Sequence, residues 1–380
     1  MGGTEETNNG EKMGGGLYLK GMVLVVIFLF IGANAILSVM GDNSTFGNTI
    51  YVDDDAEPSW YDSTHVKTIK AGIDNASIGD TVYVYSGTYY ENVVVDKTIN
   101  LVGENRDSTV IDGTGFGDVV QLTAREVSIS GFTIQNSGNF KLRECNAGLE
   151  VCSCFNTISW NNISDNNDVG IYFLFDQATD NNIVSNNIIT RNNRFGIYLL
   201  DSSYGIINGN YIANNFHGIL VGSGTIPEIC GYSWDDPHSN KINGNTIINN
   251  DWCGIIISHS YDNYIFENNL TNNEIGIYVE GSYYGSCNNT IYQNNLINNE
   301  KGIQLHGLYG GACNNKIYQN NFINNKISSF FEGCNNEWNK NYWDRPRFFP
   351  MPIFGMMSLG SISIPFVNFD RYPAQEIYKM

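Results

Sequence analysis

In the second half of the chain, apolar and polar residues alternate over short runs, and asparagine punctuates each run. One unit reads N-x-I-x-x-N-x-I-x-x-N-N-x-x-G-I-x-L, as in Asn289 to Leu305. Alternation with a period of two, β-branched residues and recurrent asparagine argue for short strands and against helix. The ending of the unit recurs as NNDVGI, NNRFGI, NNFHGI, NNEIGI and NNEKGI, with a longer copy NNDWCGI. Its glycines are Gly170, Gly196, Gly218, Gly254, Gly276 and Gly302, so successive steps are 26, 22, 36, 22 and 26 residues. Self-similarity at such a period predicts a solenoid, whose units must stack to bury a common core. Residues one and three beyond each glycine are apolar and predict the inward face: Ile171 and Phe173, Ile197 and Leu199, Ile219 and Val221, Ile255 and Ile257, Ile277 and Val279, Ile303 and Leu305.

Asparagine suits the corners because it tolerates left-handed backbone geometry. Stacked copies can also bond one another, so Asn156, Asn181, Asn240, Asn263, Asn289, Asn315 and Asn336 are expected to form a ladder between coils. Residues 46–155 form the opening of the same body, with 156–341 as its regular repeats. Val66, Ile69, Ile73 and Ala76 share one helical face, with Ser63 or Thr64 as N-cap and Gly79 as stop. Such a helix would cover the open apolar end of the first coil. From residue 342, NYWDRPRFFPMP breaks the repeat and begins an irregular C-terminal cap over 342–380, in which Met356 to Val367 predict a capping strand. The fold class expected is all-β: a right-handed parallel β-helix with an N-terminal capping helix and an irregular C-terminal cap.

Ahead of this body, a polar leader (residues 1–20) precedes an uncharged stretch (21–41), GMVLVVIFLFIGANAILSVMG. Its length suits either a signal peptide, with Ala33-Asn34-Ala35 as cleavage site, or a membrane anchor. Both readings place the body outside the cytoplasm, where the eight cysteines can form disulfides. The 39 acidic against 20 basic residues, a formal charge of -19, disfavour nucleic acid as a partner. They also disfavour acidic polysaccharides unless a cation such as Ca²⁺ bridges the two.

The segment TIKAGIDNASIGDTVYVYSGTYYENVVVDKTINLVGE, followed by STVIDG and SISGFTIQNSG, resembles the entry to right-handed parallel β-helices of the pectin-lyase-like superfamily. The repeats and the NYW-containing end resemble its NosD-like branch, known as periplasmic copper-binding or carbohydrate-binding and sugar-hydrolase domains. The resemblance covers residues 48–372 and implies fold more than activity, since this fold hosts many functions. The downstream glutamine and aspartate motifs of pectin methylesterases are missing, and no clustered acidic Ca²⁺ site beside basic residues points to a pectate lyase. Copper, implied by the family name, would want grouped soft ligands. Met351, Met356 and Met357 are the nearest cluster, and hydrophobic cap packing explains them better than copper does. No cofactor is required by any clear site; Asp53, Asp54 and Asp55 offer carboxylates for Ca²⁺ or a solvated turn.

Three sets of residues carry candidate chemistry. Residues two and four beyond each glycine face outward and include Tyr172, Tyr198, Tyr278, Ser258, Glu280, Gln304 and His306. Flat aromatics beside a few polar groups suit a glycan or another cell-surface component. The expected function is therefore an exported structural or glycan-recognition protein without catalysis. The insert at 222–239 supplies the alternative, because its Tyr232, Asp236 and His238 resemble the Tyr and Asp-Pro-His elements of mannuronan epimerases, implying a polysaccharide epimerase or lyase. Against that resemblance, Trp234 and Asp235 lengthen the gap, Ser239 replaces an acidic residue, and an Asp-Pro turn explains the same letters. A third reading is a copper-binding accessory protein. Finally, Cys154, Cys287, Cys313 and Cys334 each stand four residues before an inward strand residue. Cys287 and Cys313 fall within disulfide range as vertical neighbours, and a reduced column of small apolar side chains is the alternative.

Overall fold

The computed structural model describes residues 47–139, 145–174, 179–222, 236–281, 285–307, 311–333, 335–359 and 362–379; the leader and the 21–41 segment lie outside them. Each coil contributes one strand to each of three sheets of 13, 11 and 12 strands, parallel until the C-terminal hairpin. The result is the expected right-handed parallel β-helix. Its first sheet runs from His65–Val66 through Thr157–Ser159, Tyr264–Phe266 and Lys316–Tyr318 to Glu337–Asn339. The second passes from Gly87–Tyr89 to Tyr342–Trp343, and the third from Val93–Val95 to Ile362–Asp370. The third sheet carries the Gly-Ile copies, in strands such as Val169–Phe173, Phe195–Leu199 and Ile275–Gly281.

One apolar column from each sheet fills the interior. Ile171, Ile197, Ile219, Ile255, Ile277 and Ile303 pair in register and are fully buried, as the alternation predicts. Glycine precedes them because the coils approach closely there. A Cβ on Gly196 would stand 2.7 Å from the Gly218 carbonyl oxygen and 2.9 Å from Ile212 Cγ2, closer than packed atoms tolerate.

Three asparagine ladders close the corners. In the first, Asn240, Asn263, Asn289, Asn315 and Asn336 each accept, through Oδ1, the backbone N–H and the side-chain amide of the residue below where that residue is asparagine. Two more ladders run through Asn161, Asn187 and Asn210 and through Asn166, Asn192 and Asn215. One expected member is displaced: Asn182, not Asn181, accepts from Asn156 N–H at 2.7 Å. Asn181 occupies the adjoining corner with φ 59°. Doublets such as Asn298-Asn299 divide the labour in the same way, the first residue turning the chain at φ 54° and the second entering a ladder.

Both ends differ in detail from expectation. Helix α1 (Ile69–Asn75) starts after Thr68, whose Oγ1 accepts from Ala71 N–H at 3.1 Å, so neither Ser63 nor Thr64 is the N-cap. Val66 is drawn out of the helix by parallel pairing with Val52. At the other end the cap is more regular than predicted, because Met351–Leu359 and Ile362–Asp370 form a nine-residue antiparallel pair. Asp370 is fully buried and ends a ladder: Oδ2 accepts from Asn341 N–H at 2.8 Å and from Trp343 Nε1 at 3.0 Å.

Candidate functional site

The outward column of the third sheet is in register as the sequence implies, with Ser258 opposite Glu280 and Glu280 opposite His306. Its expected exposure holds only toward the C-terminal end. Tyr172, Tyr198 and Ser258 are 2%, 0% and 0% exposed. The two tyrosines belong to a second apolar cluster outside the solenoid wall, with Phe195, Leu200, Leu220 and Ile256. They therefore cannot serve as an open platform. Alternation assigned the side of the sheet correctly; burial on that side adds a layer that alternation does not encode.

Tyr278, Glu280, Gln304 and His306 remain half-exposed and adjacent. His306 Nδ1 lies 2.6 Å from Glu332 Oε2, and its ring is stacked with Tyr278 at 6.4 Å. Gln304 Oε1 accepts from Lys301 Nζ at 3.0 Å. Burial, then the charge of Glu280, holds the Tyr278 phenol above its ordinary range. This end of the sheet sets a ring, a carboxylate, an amide and an imidazole side by side.

A second group, not foreseen from the sequence, lies at the N-terminal end of the same sheet. Gln121 and Glu150 occupy the outward column that continues into Tyr172. Gln121 Nε2 donates to Asp118 Oδ2 at 3.2 Å and to Glu150 Oε2 at 2.8 Å. One amide thus bridges the two carboxyl groups, which also hydrogen-bond each other. Burial and the neighbouring Asp118 push the Glu150 carboxyl up to about 7, and burial raises Asp118. Burial and Glu150 push the Cys152 thiol up to about 12. Asp168 rises to about 6 because burial outweighs its 3.1 Å ion pair with Arg194. His217 is held down to about 3 by burial and by Arg194. The strand at 120–122 lacks the repeat's marks, but Gly148-Leu149 stands in register with Gly170-Ile171, so Gly148 was the signal that could have placed Glu150 in the column; the missing asparagine doublet and the leucine hid it.

The remaining candidates are scattered. Tyr232 lies outside the described residues. Asp236 is half-buried, and His238 stacks on Tyr261 at 5.0 Å with its Nδ1 3.1 Å from Ser239 Oγ. The expected Cys287 to Cys313 pair does not form: Cys287 is free, whereas Cys145 and Cys313 are each engaged in a disulfide of their own. Cys313 is engaged in another bridge, and Cys287 Sγ instead lies 3.9 Å from the Gly311 carbonyl oxygen. Among the described residues, only Asp53, Asp54 and Asp55 group three possible metal ligands, within 4.8 Å of one another. No described helix is long and apolar enough to cross a membrane.

Comparisons with known proteins agree with the fold. Residues 118–285 match the family model described as right handed beta helix region, and residues 227–348 match that of the periplasmic copper-binding protein NosD. No curated protein matches the sequence. Among solved structures, the catalytic unit of a GH87 α-1,3-glucanase from Streptomyces thermodiastaticus strain HF3-3 is 12% identical, with 89% of this chain and 69% of that one covered and a TM-score of 0.57. The Dettilon tailspike protein is 17% identical at a TM-score of 0.51, with 78% of this chain covered. The chain spans 61% of that tailspike's length. Both likenesses are of fold. The copper in the NosD description finds no fit at the methionines. Met356 and Met357 are neighbours in an extended strand and point to opposite faces, and Met351 packs on the core.

Proposed function

We propose that this NosD-like right-handed parallel β-helix repeat protein is an exported surface protein that recognises glycans without modifying them. The observation that carries the reading is the half-exposed group of Tyr278, Glu280, Gln304 and His306, backed by Glu332, on a rigid sheet. An aromatic face with donors and acceptors fixed around it suits the apolar and hydroxyl sides of a sugar. Export is supported by the apolar 21–41 segment and by oxidised Cys145 and Cys313, which suit an oxidising compartment. A glycan array tests the reading, with α-1,3-glucan included because the glucanase sharing the fold is named for it. Unchanged glycan retained by wild type and weakened by Tyr278→Ala and Gln304→Ala is the expected result. Retention unaffected by both substitutions, or no retention, overturns it.

A second reading, glycosidic-bond chemistry, is favoured by the Asp118 and Glu150 pair. A carboxyl raised to about 7 stays partly protonated at neutral pH and can act as general acid, with the other carboxyl group beside it. Product analysis on any retained glycan separates the two readings. Cleavage lost in Glu150→Gln assigns chemistry to this pair; epimerised or eliminated product lost in Asp236→Asn and His238→Ala assigns it to the insert.

A further inference from the structure

The first sheet carries a different surface. Its strands are mostly three residues long, so the first and third residues face outward, and in four successive strands the third is Phe266, Tyr292, Tyr318 and Asn339. Phe266 and Tyr292 stack at 5.0 Å and 9°, and Tyr292 and Tyr318 at 5.2 Å and 7°. The stack stops at Asn339, which has no ring. The far face of Tyr318 instead meets a cleft of 340 Å³, walled by Lys316, Gln319, Glu337, Asn339 and Lys340. That volume lies in the ~300–1,000 Å³ range of small-ligand sites. Lys316, Glu337 and Lys340 are exposed and enter none of the described ion pairs. The side-chain oxygen of Asn339 is buried without a hydrogen-bond partner, a cost that a ligand hydroxyl would relieve. A second cleft of 610 Å³ shares Glu337 and Asn339 as walls and adds Phe366, Phe369 and Tyr372, which are 40%, 46% and 69% exposed.

We propose that these joined clefts bind an oligosaccharide, with one sugar ring on the free face of Tyr318 and further units against Phe366, Phe369 and Tyr372. The inference rests on the glycan reading but places binding on another sheet from Tyr278. A pyranose presents an apolar C–H face that fits a flat ring, and hydroxyls that need donors and acceptors together. The ammonium groups of Lys316 and Lys340 donate, Glu337 accepts, and Gln319 does both. Two clefts in sequence favour a chain of sugars over a single one.

The test is titration of the full chain with oligosaccharides of about two to six units from α-1,3-glucan, mannan, xylan and chitin, a span that matches joined pockets of this size. Two variants remove the site in opposite ways. Tyr318→Ala deletes the platform, whereas Asn339→Tyr extends the stack and covers the platform, so the aromatic column survives. Affinity reduced at least about tenfold in both is expected, and Phe116→Ala, which removes an exposed ring outside both sites, should leave this binding within about twofold. Wild type that binds and both variants that bind equally would overturn this site and leave glycan recognition standing. Wild type that binds none of the panel would overturn both.

Discussion

Replacing Asn294 by alanine isolates what the asparagine ladder contributes. Asn294 is fully buried, and its Oδ1 accepts from Asn268 N–H at 3.1 Å and from Asn268 Nδ2 at 3.0 Å. Its Nδ2 donates to Ile265 O at 2.9 Å, Tyr292 O at 3.1 Å and Asn320 Oδ1 at 3.0 Å. Alanine removes all five bonds, but their losses are unequal. Asn268 Nδ2 retains Ile242 O, and Asn320 Oδ1 retains the backbone N–H of residue 294. The buried Asn268 N–H and the carbonyl oxygen of Ile265 lose a partner that water cannot replace. At about 1–3 kcal/mol for each stranded group, Asn294→Ala should cost roughly 3–5 kcal/mol. Asn298→Gly is the control, because Asn298 is an exposed corner residue at φ 54°. Glycine tolerates that geometry, so the change should stay within about 0.5 kcal/mol. Urea denaturation followed by circular dichroism gives the global cost. Hydrogen exchange at Asn268 tests the local one, since solenoids open in neighbouring units. A loss below about 1 kcal/mol for Asn294→Ala, or equal losses for both variants, would refute the ladder as a source of stability.

Three further outcomes follow from the same geometry. Because the Glu150 carboxyl is raised from 4.5 to about 7, it opposes folding once it must ionise: stability falls as pH rises from about 4.5 to about 7 and is level beyond. Glu150→Gln should abolish that slope and raise stability at pH 8 by up to about 3 kcal/mol, and a urea-midpoint profile parallel to wild type would refute the assignment. His217 acts in the opposite sense, since a value lowered from 6.5 to about 3 means stability present above about 6.5 and lost as pH falls toward about 3; His217→Phe, between Phe195 and Trp252, should flatten that acid limb. Asp370→Ala strands Asn341 N–H and Trp343 Nε1 and should cost about 3 kcal/mol, with faster exchange in the last coil; unchanged protection there would show that the ladder does not need its terminator.

How much was legible follows from what a repeat can encode. Period-two alternation identified every inward residue after the Gly-Ile glycines, because side of sheet is a local property. It placed Tyr172 and Tyr198 on the outer side, but could not tell water from a second apolar layer, which depends on residues distant in sequence. The ladder was legible as a type and missed by one position at Asn181, where either member of an asparagine pair could turn the corner. Phe266, Tyr292 and Tyr318 recur at 26-residue steps on the other sheet, so their stack was readable in principle. A perfect repeat, however, consumes its own side chains: each ring covers the next and each amide satisfies the next. Groups become available to a ligand only where a column changes residue type. Asn339 ends the aromatic stack, Glu280 and His306 follow Ser258 in the outward column, and Glu150 stands beside Tyr172. The regular motif therefore specifies the scaffold, and substitutions within its columns mark the places where binding or chemistry can occur.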